Sequence, residues 1–246
     1  MKKTGLILIL CTLFLAGCSG AGQPLDGPGM VNSYRQIDQE TAKQMMEQDD
    51  GHVVVDVRRL DEFESGHIPG AICIPNESIE TEPPEELPNP AQVILIYCRS
   101  GNRSKQAAEK LFNMGYSNIY EFGGIIDWTG DTVTGQAVLL SVESNPTTGY
   151  SWQAAQEEEL FDICSHYTAA PQSQPIAGAG GWQHFILTPK APGRAELTFT
   201  YSRPWEPNET DPQIRCVFEI GEDFSITVID DGAAAEHGYI PTIRIY

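Results

Sequence analysis

The hydrophobic rhythm of the chain divides it in two. In the first half, apolar positions come in short unbroken runs, Val53-Val54-Val55-Asp56-Val57 and Val93-Ile94-Leu95-Ile96-Tyr97. Runs of this length and composition predict strands buried on both faces, as in a parallel sheet. Around them lie stretches of helical composition: Gln39 to Gln48 behind Asp38 as N-cap, and Ser104 to about Met114, closed by Gly115. Alternating strand and helix predicts an α/β domain over residues 33–134, a parallel sheet flanked by helices. From Gln136 the rhythm shortens. Ala137 to Val142, His184 to Thr188, Ala195 to Tyr201 and Ile214 to Ile220 read as strands, several alternating, with Gly, Pro and Asn between them. This predicts an antiparallel β-sandwich over residues 135–231. Whether Ile214–Ile220 or Phe224–Ile229 is the last strand stays open, and residues 232–246 form a tail without an assigned role.

The N-terminus sets the expected compartment. Lys2 and Lys3 precede an apolar run, Gly5 to Leu15, that is too short to span a bilayer and is placed like a signal-peptide core. It ends in Leu15-Ala16-Gly17-Cys18, which resembles the bacterial lipobox. The resemblance implies a signal peptide over residues 1–17, lipidation of Cys18, and a chain exported and anchored by lipid to the outer face of the bacterial cell membrane. Residues 18–32, with Pro24, Gly27, Pro28 and Gly29, then read as a flexible tether. Loss of residues 1–17 leaves 229 of 246 residues, enough for two domains of about 100 each. It also removes Lys2 and Lys3, taking the net charge from −19 to −21. So acidic a chain argues against nucleic acid as a partner. Of the six cysteines, Cys73, Cys98, Cys164 and Cys216 remain, and Cys164 with Cys216 is a candidate disulfide in an exported protein. No Cys/His spacing suggests a metal site, and no cofactor is expected.

The strand ending at Tyr97 runs into Cys98-Arg99-Ser100-Gly101-Asn102-Arg103, directly ahead of a helix. A loop curling onto a helix N-terminus aims N–H groups and the positive dipole end at its centre. A cysteine there is thiolate-rich, an activated sulfur nucleophile inside an anion cradle. Asp56 and Arg58 end a strand on the same side of the sheet, either to orient a substrate or as a buried ion pair. Cys73 is either a partner able to form a disulfide with Cys98 or a small buried hydrophobe.

These residues resemble the rhodanese family of sulfurtransferases, over the whole domain. Asp56-Val57-Arg58, Glu62-Phe63, Gly66-His67-Ile68-Pro69-Gly70-Ala71, and Gly123-Gly124 followed by Trp128 carry the match beyond the loop. The resemblance implies that Cys98 takes a sulfane sulfur as a persulfide, from thiosulfate or a small persulfide donor, and passes it to a thiol or cyanide. It implies that the loop amides and Arg103 hold the anionic donor, and that His67 builds a turn rather than acting as a base. Four residues between Cys98 and Arg103, where tyrosine-phosphatase-type loops have five, favour sulfur over phosphate.

In the second half three loop-like stretches stand between strands: Asn145-Pro146-Thr147-Thr148-Gly149-Tyr150, Gly178-Ala179-Gly180-Gly181 and Arg203-Pro204-Trp205. Singly they are ordinary turn formers. In this order they resemble the chagasin-type inhibitors of papain-like cysteine peptidases, with Trp152, His184 and Phe185 extending the match. The resemblance implies an immunoglobulin-like sandwich in which Thr147, Thr148 and Gly149 occupy the peptidase cleft while the other two loops grip its sides. One departure concerns the family's first strand, which is either shortened or supplied by Thr132-Val133-Thr134 in a tight domain junction. The expected protein is a surface lipoprotein joining a sulfurtransferase to a peptidase inhibitor. The alternatives are an idle rhodanese-like module beside an active inhibitor, and a structural surface protein using neither site.

Overall fold

The computed structural model describes residues 34–48, 50–170, 178–233 and 237–246. The signal peptide of residues 1–17, Cys18 and the tether of residues 18–32 lie outside the described residues. No helix among the described residues is long and apolar enough to cross a membrane.

The first half runs β1 (Arg35–Gln36), α1 (Gln39–Met46), β2 (Val53–Asp56), α2 (Leu60–Glu64), β3 (Ala71–Cys73), β4 (Val93–Cys98), α3 (Asn102–Asn113) and β5 (Asn118–Gly124). Its five strands form one sheet in the order β1-β5-β4-β2-β3, every neighbour parallel. The α/β expectation is met. Asp38 caps α1, its carboxylate accepting from the Thr41 N–H at 2.7 Å. The Val/Ile runs of β2 and β4 lie at the middle of the sheet, paired Val53↔Ile94 to Asp56↔Tyr97, where burial on both faces requires continuous apolar sequence. α3 buries Ala107, Ala108 and Leu111, the face expected of a helix laid on that sheet.

The second half supplies β6 (Val138–Ser144), β7 (Ser151–Gln156), β8 (Phe161–Ala169), β9 (Gly181–Pro189), β10 (Gly193–Ser202), β11 (Gln213–Ile220), β12 (Ile226–Asp230) and β13 (Thr242–Ile245). They form two four-stranded antiparallel sheets, β12-β11-β10-β7 and β13-β6-β9-β8. Trp152, Phe161, Phe185, Phe199 and Phe218 fill the space between them. Gln183 of β9 ties the sheets together, its amide oxygen accepting from the Trp152 N–H at 2.8 Å and its amide nitrogen donating to the Trp152 carbonyl at 2.9 Å.

The open question of the first sandwich strand has an unexpected answer. Thr132–Thr134 does not pair with β6. Val133 instead exchanges two backbone hydrogen bonds with His67 of the first half, at 2.8 and 2.9 Å. The edge beside β6 is taken by β13, from the segment that the sequence left as a tail, in register Thr242↔Ser141 to Ile245↔Val138. Of the two segments proposed as the last strand, both are strands of one sheet, β11 and β12, and neither is last, since β13 follows them.

The C-terminus then closes the junction between the halves. Tyr246 is buried with its ring 6.5 Å from Phe63 of α2, in a core that also takes in Ala137, Leu139 and Ile186. Arg244 pairs with Glu86 at 2.7 Å and with Glu85. The Gly135 N–H donates to the Glu64 carbonyl at 2.8 Å. Residues 33–246 accordingly form one compact unit.

The candidate disulfide does not form: Cys164 and Cys216 are both free. They stand on different sheets. Cys216 is buried in the sandwich interior, while Cys164 faces outward beside Gly70 of the first half, where a Cβ on Gly70 would lie 3.7 Å from its sulfur. Side chains that point apart cannot be bridged without moving backbone.

Candidate functional sites

At the carboxyl end of β4 the chain turns through Arg99-Ser100-Gly101 into α3. Gly101 makes the turn possible, with φ +94° in the left-handed region that other residues avoid. Cys98 lies at the base of this turn, 1% exposed. The Gly101 N–H points at its sulfur at 3.1 Å, and the Ser104 hydroxyl lies 3.5 Å from it. Burial alone would raise the Cys98 pKa. The Ser104 hydroxyl and the backbone amides of Ser104, Ser100 and Gly101 outweigh it and bring the thiol below its ordinary value.

Ser104 also lies 2.6 Å from the Glu121 carboxylate, which accepts the Gly123 N–H at 3.0 Å as well. A hydroxyl has one proton. Glu121 and the sulfur therefore compete for that proton, while the Gly101 N–H at 3.1 Å is a standing donor to the sulfur. Cys98, Ser104 and buried Glu121 thus form a chain of three polar groups in the protein interior.

Arg103 does not reach into the cradle unpaired. Its guanidinium grips Glu62 of α2 with two hydrogen bonds of 2.6 and 2.8 Å. That bidentate contact holds the Glu62 carboxyl down to about 2. Arg99, Ser100 and Asn102 are exposed on the outside of the turn. Asp56 and Arg58 resolve as a buried ion pair, with contacts of 2.6 to 3.0 Å, and Arg58 also donates to the Gly66 carbonyl at 2.6 Å. Their place is under the turn at Gly66, as structural support.

His67 is stacked on Phe63 at 3.7 Å, and burial pushes its pKa down to about 4, so it is neutral and structural. Cys73 and Tyr97 both sit opposite Asp56, on either side of β2. That puts Cys73 two strand spacings from β4, roughly 9–10 Å, beyond disulfide reach of Cys98. Burial raises the Cys73 thiol to about 12. It is a core residue.

The sandwich brings the other three stretches together at one pole. Asn145 organises the first loop: its N–H donates to the Tyr201 hydroxyl at 2.9 Å, and its carbonyl accepts from the Thr148 hydroxyl at 2.6 Å. Its side-chain amide reaches the second loop, donating to the Gly178 carbonyl at 3.0 Å. Pro146 to Thr148 form one 3₁₀ turn, which Gly149 ends at φ +82°. The third loop lies against that glycine, and Arg203 stacks on Tyr150 at 4.8 Å while donating to the Thr148 carbonyl at 3.4 Å.

Thr147, Thr148, Pro204 and Trp205 are exposed, Trp205 by 71%. Gly178 faces Thr147, while Gly180 backs onto Ser144 and Gly181 begins β9. Three loops separated by tens of residues therefore make one surface on which Thr147 and Thr148 are exposed. Trp152, His184 and Phe185 lie beneath it as sandwich residues; His184 Nδ1 is 2.7 Å from the Ser141 hydroxyl.

Sequence reasoning named these loops but missed Ser104 and Glu121 as partners of Cys98, and Tyr239, whose ring packs 5.2 Å from Trp152 and 5.3 Å from Tyr201 under the first loop. Ser104, two residues into α3, was a visible signal. Nothing local marked Glu121 or Tyr239.

Comparison with known proteins matches this division. A family model described as a rhodanese-like domain fits residues 38–131, and one described as chagasin family peptidase inhibitor I42 fits residues 132–220. A sulfurtransferase of Allochromatium vinosum is 38% identical over 100 residues, which are 40% of this chain and 89% of that protein. Chagasin of Trypanosoma cruzi is 36% identical over 85 residues, 31% of this chain and 76% of chagasin. A Bacillus subtilis protein named as a sulfur carrier, YrkF, is 35% identical over 103 residues, 42% of this chain; the match spans about half of that relative, 55%. The chain belongs to both families, a rhodanese-like domain followed by a chagasin-family inhibitor domain.

Proposed function

We propose that this protein inhibits papain-like cysteine peptidases through the three-loop pole and transfers sulfur through Cys98. The observation that carries the first half of this reading is the joining of the loops at one surface, Asn145 to Gly178 at 3.0 Å and Arg203 to Thr148 at 3.4 Å. A wedge held by its own hydrogen bonds loses little freedom on binding. Thr147, Thr148 and Gly149 enter the active-site cleft, and Trp205 and Arg203 anchor one flank. No bond is cut, and the peptidase is released intact.

In the first domain the Cys98 thiolate attacks the sulfane sulfur of thiosulfate. The sulfur–sulfur bond breaks, sulfite leaves with the electron pair, and Cys98 carries a persulfide until an acceptor thiolate takes the outer sulfur. The Gly101 amide supports the thiolate before and after transfer. Incubation of the soluble chain with thiosulfate should yield a cyanide-labile persulfide that Cys98→Ser lacks. Equal label on both proteins would remove Cys98 from the role.

A second reading has one observation in its favour. Arg103, the cation expected to hold an anionic donor, is already paired with Glu62. On that reading the domain is a docking module and only the inhibitor acts; absence of persulfide on the native protein would select it. The expected setting is the outer face of a bacterial membrane, with a lipid on Cys18. The Leu15–Cys18 pattern supports it, and labelling of the native chain but not Cys18→Ala by a palmitate analogue tests it.

A further inference from the structure

The inhibitor-family match ends at residue 220, yet the chain continues to Tyr246 and returns to the pole that carries the three loops. Strand β13 runs antiparallel to β6, with Thr242 opposite Ser141. Continuing that register toward the pole sets Ile240 level with Glu143 and Tyr239 level with Ser144, the residue that leads into Asn145. The ring contacts agree. Tyr239 packs on Tyr201, whose hydroxyl accepts the Asn145 N–H, and on Trp152, whose indole N–H donates to the Glu143 carbonyl at 2.8 Å.

Tyr239 lines both cavities that open among the loops. One, of about 360 Å³, lies between the first and second loops against Asn145, Gly180 and Gly181. The other, of about 570 Å³, lies along the third loop against Tyr150 and Arg203. Beside it Ile240 is 65% exposed, close to the 71% of Trp205. Chain alternation turns Ile240 to the face opposite Tyr239, level with Glu143 at the margin of the first loop, and a large apolar side chain left exposed beside a loop surface is a candidate contact.

We infer that the C-terminal segment makes a fourth element of the inhibitory surface: Ile240 contacts the bound cysteine peptidase, and Tyr239 is a positioning residue that holds Tyr201 and so the Asn145 loop. This rests on the inhibitor reading above. The partner is the peptidase because Tyr239 lines both cavities of the three-loop surface and Ile240 lies at its margin, level with Glu143 two residues ahead of Asn145.

The test is tight-binding inhibition of papain by residues 19–246, with dissociation rates and thermal midpoints measured alongside. Ile240→Ser should weaken binding about tenfold through faster dissociation, with an unchanged midpoint. Tyr239→Ala should weaken it similarly, and Tyr239→Phe, which keeps the ring contacts, should restore it. Trp205→Ala serves as the reference. If Trp205→Ala weakens binding while Ile240→Ser stays within twofold, the fourth element is overturned and the three-loop reading stands. If neither change matters, both fall. A concentration-dependent dimer that Ile240→Ser dissolves would give the patch to a second copy and overturn the proposal.

Discussion

Trp205 lies so close over Gly149 that a Cβ added to the glycine would meet the indole ring at 2.8 and 3.0 Å. The same glycine has φ +82°, a conformation L side chains rarely adopt. Two independent constraints therefore demand glycine where the first and third loops meet. Gly149→Ala should cost about 1–3 kcal/mol of local strain and push Trp205 off its seat. Papain inhibition should fall at least tenfold while far-ultraviolet dichroism stays native. Inhibition unchanged by Gly149→Ala would mean that the two loops do not act as one surface.

Glu121 competes with Cys98 for the single proton of Ser104. Glu121→Gln removes a negative charge near the sulfur and leaves a weaker acceptor competing for the Ser104 proton, both of which favour thiolate. The midpoint of Cys98 alkylation against pH should move down. An upward shift, or none, would contradict the account of Glu121 as a group that opposes the thiolate.

The pair Glu62–Arg103 gives a pH window. The folded carboxyl titrates near 2, against 4.5 for its ordinary value. A depressed carboxylate pKa contributes stability that is fully present above 4.5 and is lost as pH falls from there toward 2. The difference in urea midpoint between the native protein and Glu62→Gln should be constant from pH 7 to 5, shrink below 4.5 and vanish near 2. A difference undiminished at pH 2 would contradict the assignment.

Much of this was legible beforehand where the signal is local. The apolar runs of β2 and β4 announce buried parallel strands because each residue must satisfy both faces. The Cys98 turn is legible because one glycine and a helix start define it. Short strands and the three loops of the sandwich announce themselves by turn chemistry. What stayed hidden is long-range. Glu62 finds Arg103 across 41 positions, and Glu121 reaches Ser104 across 17. The edge strand β13 has only four residues, and its pairing with β6 depends on the whole sandwich having formed, so no window of sequence could distinguish it from a tail.

That strand makes residues 242–246 a structural requirement. Tyr246 buries its ring beside Phe63, and its backbone pairs with Ala137 at 2.9 and 3.1 Å. Tyr246→Ala should cost about 3–5 kcal/mol, as for other buried aromatics. Calorimetry of Tyr246→Ala should show unfolding split between the two domains or moved to lower temperature than in the native protein. A midpoint within a degree of native would mean that the two domains are held together by other contacts.

The central claim is that the loop pole, and not thiol chemistry, stops a papain-like peptidase. The most direct measurement is a titration of papain activity with residues 19–246 carrying Cys98→Ser. Linear loss of activity reaching zero near one equivalent, abolished or strongly weakened by Trp205→Ala, is the predicted result. Papain left fully active by the Cys98→Ser protein while the native chain inhibits it would place the effect on the sulfur centre and contradict the account.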